Sequence, residues 1–469
     1  MITVTSLGHA TAIVRAGETR MIVDPWLTRR LDRFWERNLM FPDAAWDEID
    51  KGIDYVVLTH HHCDHLHYPS LDLLRERLGR DWARDTPIVF PEQGVPRPSV
   101  SGMGHLPIPL TLRKLGYATF RPIVPGESFE LGDASIRSFK SRVPFPEMSM
   151  LVRSGKNALM MCADAVLHPE TWAWITAQSG LSITLALIPA HSYVPSDVLG
   201  ERVLRVPYTE AVRRSILNFD RYWSTFGAQL TVPFASGWHV SATDGDFDWC
   251  NGVLWPWTPI QARDRLRDAG LQSELSAAGT VFTLEDGEPT DVSRLAGSVG
   301  DAEIRAADAG VRLRPETPIP PFAPDRDTVG AQRDRTEELI GRLAEEFVGS
   351  ESWGNALLSS RRYLVKLHDD TGAAPGFLID PAANQVTEVS QRASEAAGPN
   401  TRSVEITAST LQALFDGEIV YGSSWGLWTS NCDLLASVFH NPKWYQSHLD
   451  SAVSRYGAGK LASSIEGHA

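Results

Sequence analysis

The chain reads as a layered α/β sandwich, and three observations carry that reading. Short apolar runs that end in polar or small-residue loops recur through the first 240 residues. Segments of helical spacing lie between those runs, as layered α/β architectures require. Hydrophobic residues make up 43% of the 469 positions, enough for a large core and too many for wholesale disorder. At about 150 residues per domain the length corresponds to about three units, and since α/β layers often run longer, two or three are expected.

The elements follow in order. Ile2–Leu7 and Ala10–Arg15 read as paired strands, with Gly17-Glu18 as a turn and Arg20–Val23 as a third strand ending in Asp24-Pro25. Tyr55–Leu58 is a short apolar strand that stops at the polar cluster Thr59–His67, and Leu71, Leu74 and Leu78 mark one face of a helix. Pro87–Phe90, Ser135–Phe139, Met148–Arg153 and Ala158–Cys162 read as strands, as do Leu185–Pro189 and Gln229–Phe234, with a helix over 207–226 between the last two. Five prolines within 313–328 predict a stiff linker. It separates a unit at 1–312 from a smaller α+β unit at 329–469, with helices at 331–347 and 408–415 and a hairpin over 361–368 and 375–380.

Composition narrows the function classes. Lys+Arg 44 against Asp+Glu 58 gives a formal charge of −14, which argues against nucleic acid or anionic lipid as a partner. The cysteines at 63, 162, 250 and 432 form no CxxC pair, which excludes a cysteine-ligated cluster or a disulfide scaffold. Met1 leads directly into strand-like alternation, and no apolar run approaches the roughly 18 residues of a membrane span. A soluble, cytoplasmic protein is expected.

The most informative stretch is Thr59-His60-His61-His62-Cys63-Asp64-His65-Leu66-His67, directly after a strand. His60 and His62 are two apart, so in extended backbone they point the same way. Asp64 and His65 lie at the turn into the next helix and can reach a neighbouring point. Imidazole mixed with carboxylate suits zinc, iron or manganese rather than calcium or magnesium. The competing reading, a histidine-rich surface loop, does not account for the order of the residues.

His60-x-His62-x-Asp64-His65 resembles the signature of the metallo-β-lactamase superfamily. Leu7-Gly8-His9-Ala10 and Val23-Asp24-Pro25-Trp26-Leu27 are similar to the branch holding the ascorbate-phosphate lactonases and the CMP-N-acetylneuraminate hydroxylases. Asp64-His65-Leu66-His67-Tyr68-Pro69, Pro146-Glu147-Met148, Asp164 and Val232-Pro233-Phe234-Ala235 extend the similarity to the hydroxylases over roughly residues 1–280. The resemblance implies an αββα sandwich and one or two metal ions, with iron preferred and zinc or manganese as alternatives.

The resemblance also implies a third histidine, a bridging aspartate and a last histidine. Asp164, after an apolar run, fits the aspartate, although a helix N-cap would also explain it. His239, just beyond the strand ending at Phe234, is the candidate last ligand, with His191 as rival. Phe145 stands where the third histidine is implied, unless His105, His168 or His191 substitutes. A two-zinc hydrolase relies on both metals to generate hydroxide, whereas two histidines, one carboxylate and open positions suit non-haem iron. His9 and Asp64 are the candidate catalytic groups, His9 alternatively an outer support or a turn residue. Asp24 is either part of the site or a turn former. His61 and His67 are expected to point away, and Cys63 to act as a spacer.

Trp223, Trp238, Trp249, Trp255 and Trp257 are either core or an aromatic pocket, with Trp238 the candidate substrate contact. Arg137, Arg142 and Arg153 flank Phe145. Arg142 is the candidate receptor for an anionic group, against the alternative of a solvated face. Residues 192–208 are a candidate lid. The leading expectation is a non-haem iron oxidoreductase of monooxygenase type acting on a small molecule. The hydroxylase family carries a Rieske domain, and this chain has no Cys-x-His…Cys-x-x-His pattern, so a separate electron-transfer protein is implied. A metal-dependent hydrolase of an ester, lactone or phosphoester is the first alternative. A non-catalytic member with a degenerate site is the second.

Overall fold

The computed structural model describes residues 1–31, 35–92, 108–143, 146–190, 208–240, 258–309, 333–349, 362–368, 376–380, 382–383, 385–389, 401–416 and 438. The chain opens with β1 (Ile2–Gly8), β2 (Thr11–Ala16), β3 (Thr19–Val23) and the short β4 (Trp35–Arg37). Then come α1 (Ala44–Asp50), β5 (Tyr55–Val57), α2 (Tyr68–Leu78), α3 (Arg80–Asp85), β6 (Ile88–Pro91), α4 (Ile108–Leu112) and β7 (Phe120–Ile123). An antiparallel run follows: β8 (Ser128–Leu131), β9 (Ala134–Lys140), β10 (Met148–Ser154) and β11 (Asn157–Met161). It continues as α5 (Pro169–Ala177), β12 (Leu185–Pro189), α6 (Tyr208–Phe226), β13 (Leu230–Phe234), β14 (Trp238–Val240), α7 (Pro259–Asp268), β15 (Thr280–Glu285), β16 (Glu288–Arg294) and α8 (Asp301–Ala309).

Two sheets form a sandwich, one ordered β16-β15-β1-β2-β3-β5-β6-β7, the other β13-β12-β11-β10-β9-β8. Strand periodicity divides each buried run between two cores. Val14, Met21, Val23 and Phe282 of the first sheet share one apolar cluster with Met150, Leu159, Leu187 and Val232 of the second. The alternate residues face outward: Ile13, Ile22 and Val56 pack with Leu71 and Leu74 of α2. On the other side Leu151, Met160 and Ile188 pack with Trp172 of α5, Phe219 of α6 and Leu266 of α7. The layers are therefore α/β/β/α, the sandwich that the sequence predicts.

Beyond the sandwich, α9 (Arg333–Gly349), β17 (Arg362–His368), β18 (Gly376–Asp380), β19 (Gln385–Val389), β20 (Thr401–Thr407) and α10 (Ala408–Asp416) are described. The strands form a sheet ordered β19-β18-β17-β20, with β17 and β18 antiparallel, as the expected hairpin requires. Arg342 of α9 lies over the Phe415 ring of α10 at 4.2 Å. The proline-rich stretch at 313–328 lies outside the described residues. Among the described residues, no helix is long and apolar enough to cross a membrane.

The β15–β16 hairpin offers an internal comparison. Phe282 is fully buried between the sheets, and its cross-strand partner Val292 is exposed. Phe282→Ala should lower stability by about 3–5 kcal/mol, whereas Val292→Ala should stay within about 0.5 kcal/mol, as read from urea unfolding midpoints.

Candidate metal centre

Asp24, His9, the histidine loop and Asp164 stand where strands end, and the two sheets meet there. Asp24 follows β3, Thr59 follows β5 by two residues, His9 follows β1, and Asp164 lies just past β11. Backbone hydrogen bonds lock these ends together: Asp24 N–H to Val57 O at 2.9 Å within the first sheet, and Met148 N–H to Thr59 O at 3.0 Å between sheets. Ala235 N–H reaches His9 O at 3.2 Å, a second link between sheets.

Within this seam the imidazoles converge. His60 Nε2 and His62 Nδ1 lie 2.9 Å apart, and the His60 and His65 ring centroids 4.0 Å apart. His65 Nε2 faces Asp164 Oδ2 at 3.2 Å and Asp64 Oδ2 at 3.5 Å. On its far side, His65 Nδ1 donates to Asp24 Oδ2 at 2.8 Å, which turns Nε2 toward Asp164 and Asp64, the nitrogen a metal would take in place of a proton. Asp24 is itself fixed, accepting from Thr59 N–H at 2.7 Å and Thr59 Oγ1 at 2.6 Å. Donor atoms of His60, His65 and Asp164 lie within 4.8 Å of one another, as do those of His9, Asp64 and His65.

The donor spacing fits a metal. Ligands on bonds of about 2.0–2.2 Å stand about 3.0–3.5 Å apart, close to the separations just given. The electrostatics agree. Burial would lower the pKa of His65, yet Asp164, Asp64 and Asp24 override it and hold the imidazole well above its usual value. Burial would raise Asp64, but His65 and His9 hold its carboxyl well below the usual range. Burial keeps His60 and His9 low, hence neutral, the form that can ligate. A cluster holding several buried carboxylates is one that a divalent cation neutralises.

His239 departs from expectation. Its Nδ1 lies 2.7 Å from Asn38 Oδ1 and its Nε2 3.1 Å from Glu36 Oε1, because β14 pairs with β4 and carries the ring along that ribbon. It is in neither of the two donor groups, so it does not close the Asp64–His65 side. Its neighbour Trp238 packs instead on His9, with ring centroids 5.4 Å apart, and on Trp35 at 4.8 Å. Arg142 is exposed, its backbone N–H bonded to Val166 O at 2.7 Å beside the Asp164 loop. Arg137 lies over the Trp174 ring, and Trp223 of α6 is partly buried against the apolar cluster between that helix and the second sheet. His67 is buried between Ser70 Oγ and Leu31 O, and His168 caps α5, so neither joins the cluster. Asp164 caps no described helix. Phe145, His105, His191, Trp249, Trp255, Trp257 and residues 192–207 lie outside the described residues.

Two groups escaped the sequence reading. Thr59 anchors Asp24, and its signal was its place between an apolar strand and the histidines. Glu147 is buried, with Oε1 3.8 Å from His60 Nδ1 and Oε2 without a hydrogen bond among the described residues. Burial drives its carboxyl up to about 8, with Asp164 adding to the shift and Ser141 opposing it. Its signal is a lone acid at the start of an apolar strand, within Pro146-Glu147-Met148.

Asp24→Asn should weaken metal binding about 10–100-fold in a competition titration, because the amide no longer orients His65. In metal-stripped protein, Glu147 keeps its proton up to about 8 when folded but releases it from about 4.5 when unfolded. Its contribution to stability therefore declines as pH rises through that window. Glu147→Gln should remove the decline, a difference on the order of a few kcal/mol at the alkaline end, read from melting curves at successive pH values.

Comparison with known proteins agrees with the geometry. Residues 3–159 match the family model of the beta-lactamase superfamily domain. The cytidine monophosphate-N-acetylneuraminic acid hydroxylase of Danio rerio is 40% identical over 77 residues, 16% of this chain and 13% of that protein. A metal-dependent hydrolase of Ruegeria sp. is 37% identical over 60 residues, 13% of this chain and 23% of that protein. These matches span under a quarter of either relative. CmlA, a diiron beta-hydroxylase from Streptomyces venezuelae, superposes with TM-score 0.39 and 17% identity over 63% of this chain and 54% of its own. Residues 3–159, which hold the histidine loop and the strands from β1 into β11, are thus similar to the beta-lactamase superfamily domain, and the likeness to the named relatives is confined to a small part of their length.

Proposed function

We propose that the chain is a metal-dependent enzyme, and that its chemistry is that of a non-haem iron oxidoreductase of monooxygenase type acting on a small molecule. The observation that carries this reading is Glu147, a buried carboxylate beside His60 on the side where the superfamily usually has a histidine. His60 and His62 would serve one position, Asp64 and His65 the other, with Asp164 between them, and Glu147 stands behind His60 at its Nδ1 and adds negative charge there. Carboxylates mixed with imidazoles and open positions favour iron over zinc. When bound, iron supplies the redox couple that activation of oxygen requires and zinc lacks. The hydroxylase relative supports this reading over its 77 matched residues.

The residues of the chain then have defined tasks. Asp24 holds His65 with Nε2 aimed into the cluster. Trp26, Trp35 and Trp238 wall the His9 side with aromatic surface and exclude water. Asp64, kept ionised by His65 and His9, is in the form that ligates a cation, and the resemblance also makes it a candidate catalytic group. Arg142, exposed beside the Asp164 loop, is placed to receive an anionic group of the substrate. A separate electron-transfer protein would supply the electrons that such chemistry consumes. The acidic balance fits a small-molecule substrate rather than nucleic acid or a membrane, in a cytoplasmic setting.

The hydrolase relative gives a second reading, cleavage of an ester, lactone or phosphoester, in which Asp64 would orient and deprotonate water. One experiment separates them. Protein purified without added metal should retain iron. With a reductant and cytidine monophosphate-linked sialic acid as first probe, the iron form should consume oxygen, the zinc form should not, and His65→Ala should abolish consumption. Hydrolysis of an ester or lactone by the zinc form would replace this reading with the second. Retention of no metal would overturn both in favour of a degenerate member.

A further inference from the structure

We propose that His9 is itself a metal ligand on the Asp64–His65 side of the centre, a place that His239 does not take. The inference rests on the reading that the cluster holds metal, and adds to it which residue completes the second position.

Three observations converge on His9. The first is spacing. His9 Nε2 lies 3.0 Å from Asp64 Oδ2, which in turn lies 3.5 Å from His65 Nε2. Donors sharing an ion through bonds of about 2.0–2.2 Å take up such separations. The second is orientation. His9 is 4% exposed and its ring is held by Trp26 at 5.5 Å, His65 at 5.2 Å and Trp238 at 5.4 Å between centroids. Its Nε2 is aimed at Asp64, and its Nδ1 makes no hydrogen bond among the described residues. The third is backbone. His9 has φ of +50°, a left-handed conformation that costs a non-glycine residue about 1 kcal/mol or more. Two contacts impose it: Ala235 N–H on His9 O, and the buried Arg37 guanidinium on Leu7 O at 2.6 Å. Residues held in such a conformation concentrate at sites where a side chain must be presented at a fixed angle. His239 cannot compete, since Asn38 and Glu36 occupy its ring nitrogens.

An outer role, with His9 only donating to Asp64, makes different predictions. The test uses full-length protein loaded with Co(II) alone. The wild type should bind two equivalents, the second with measurable affinity. His9→Gln, which can still hydrogen-bond to Asp64, should lose the second equivalent or weaken it at least tenfold by equilibrium dialysis. His9→Cys should restore it and add a Co(II)–thiolate charge-transfer band in the near ultraviolet, because a thiolate absorbs in this way only when bonded directly to the metal. Full stoichiometry in His9→Gln, or restored binding in His9→Cys without a thiolate band, would overturn the proposal. Should His9→Cys fail to fold by circular dichroism, the His9→Gln titration decides alone. Wild-type protein that binds no Co(II) would sink the metal reading itself, a result distinct from either.

Discussion

The Asp24 carboxylate is the joint on which the centre depends. It is fully buried and accepts three hydrogen bonds, two from Thr59 and one from His65. Thr59 starts the histidine loop and His65 lies within it, so a single side chain fixes both the entry of the loop and the tautomer of its central imidazole. Asp24 gains this reach because β3 and β5 run parallel and adjacent, which brings their carboxyl-terminal ends side by side. Ligand sites in layered α/β sheets gather at such ends for the same reason. A buried carboxylate is tolerable only when its acceptor capacity is filled, and here the loop fills it.

Strain is distributed in the same place. Among the described residues, the non-glycine positions with positive φ are His9, Asp24, Ala163, Ala235 and Asp286. The first four lie at strand ends in the seam, one immediately before Asp164 and another hydrogen-bonded to His9. Each costs on the order of 1 kcal/mol, which the doubly covered sandwich can sustain because its strands are buried on both faces. Gly8 belongs with them, since at φ +87° a side chain would also meet the Arg37 guanidinium at 2.9 Å. The rigid layers set the angles of the chain ends, and those angles set where the side chains point.

Much of this was legible from residue order because the signals were local. The strand runs, the helix before Leu78 and the loop from His60 to His65 each state themselves within a few residues. What was not legible depended on pairings across long separations. β15 has clear alternation, yet nothing near it says that it pairs with β1 more than 270 positions away. His239 looked like a strand-end ligand because its distance from Phe234 was suitable. The β14–β4 ribbon that carries it to Asn38 and Glu36 involves a segment some 200 residues earlier. The sequence offers His9 as a catalytic group, an outer support or a turn residue, and only the folded chain brings its Nε2 to Asp64.

Glu147 raises a point of charge that sequence spacing could not. A histidine in its place would be a neutral donor, whereas a carboxylate brings a full negative charge to a pocket that already contains Asp24, Asp64 and Asp164. In a dry environment such a charge is held only by a nearby cation or by its proton, which is why the carboxyl is driven up to about 8 without one. The same charge stabilises a more highly charged ion over a less charged one, so a carboxylate on the His60 side favours a metal that can reach a higher oxidation state. Zinc draws no such benefit, having one accessible charge state. The charge of the side chain beside His60 must therefore be met either by a bound cation or by a proton, and a fold alone does not decide which chemistry follows.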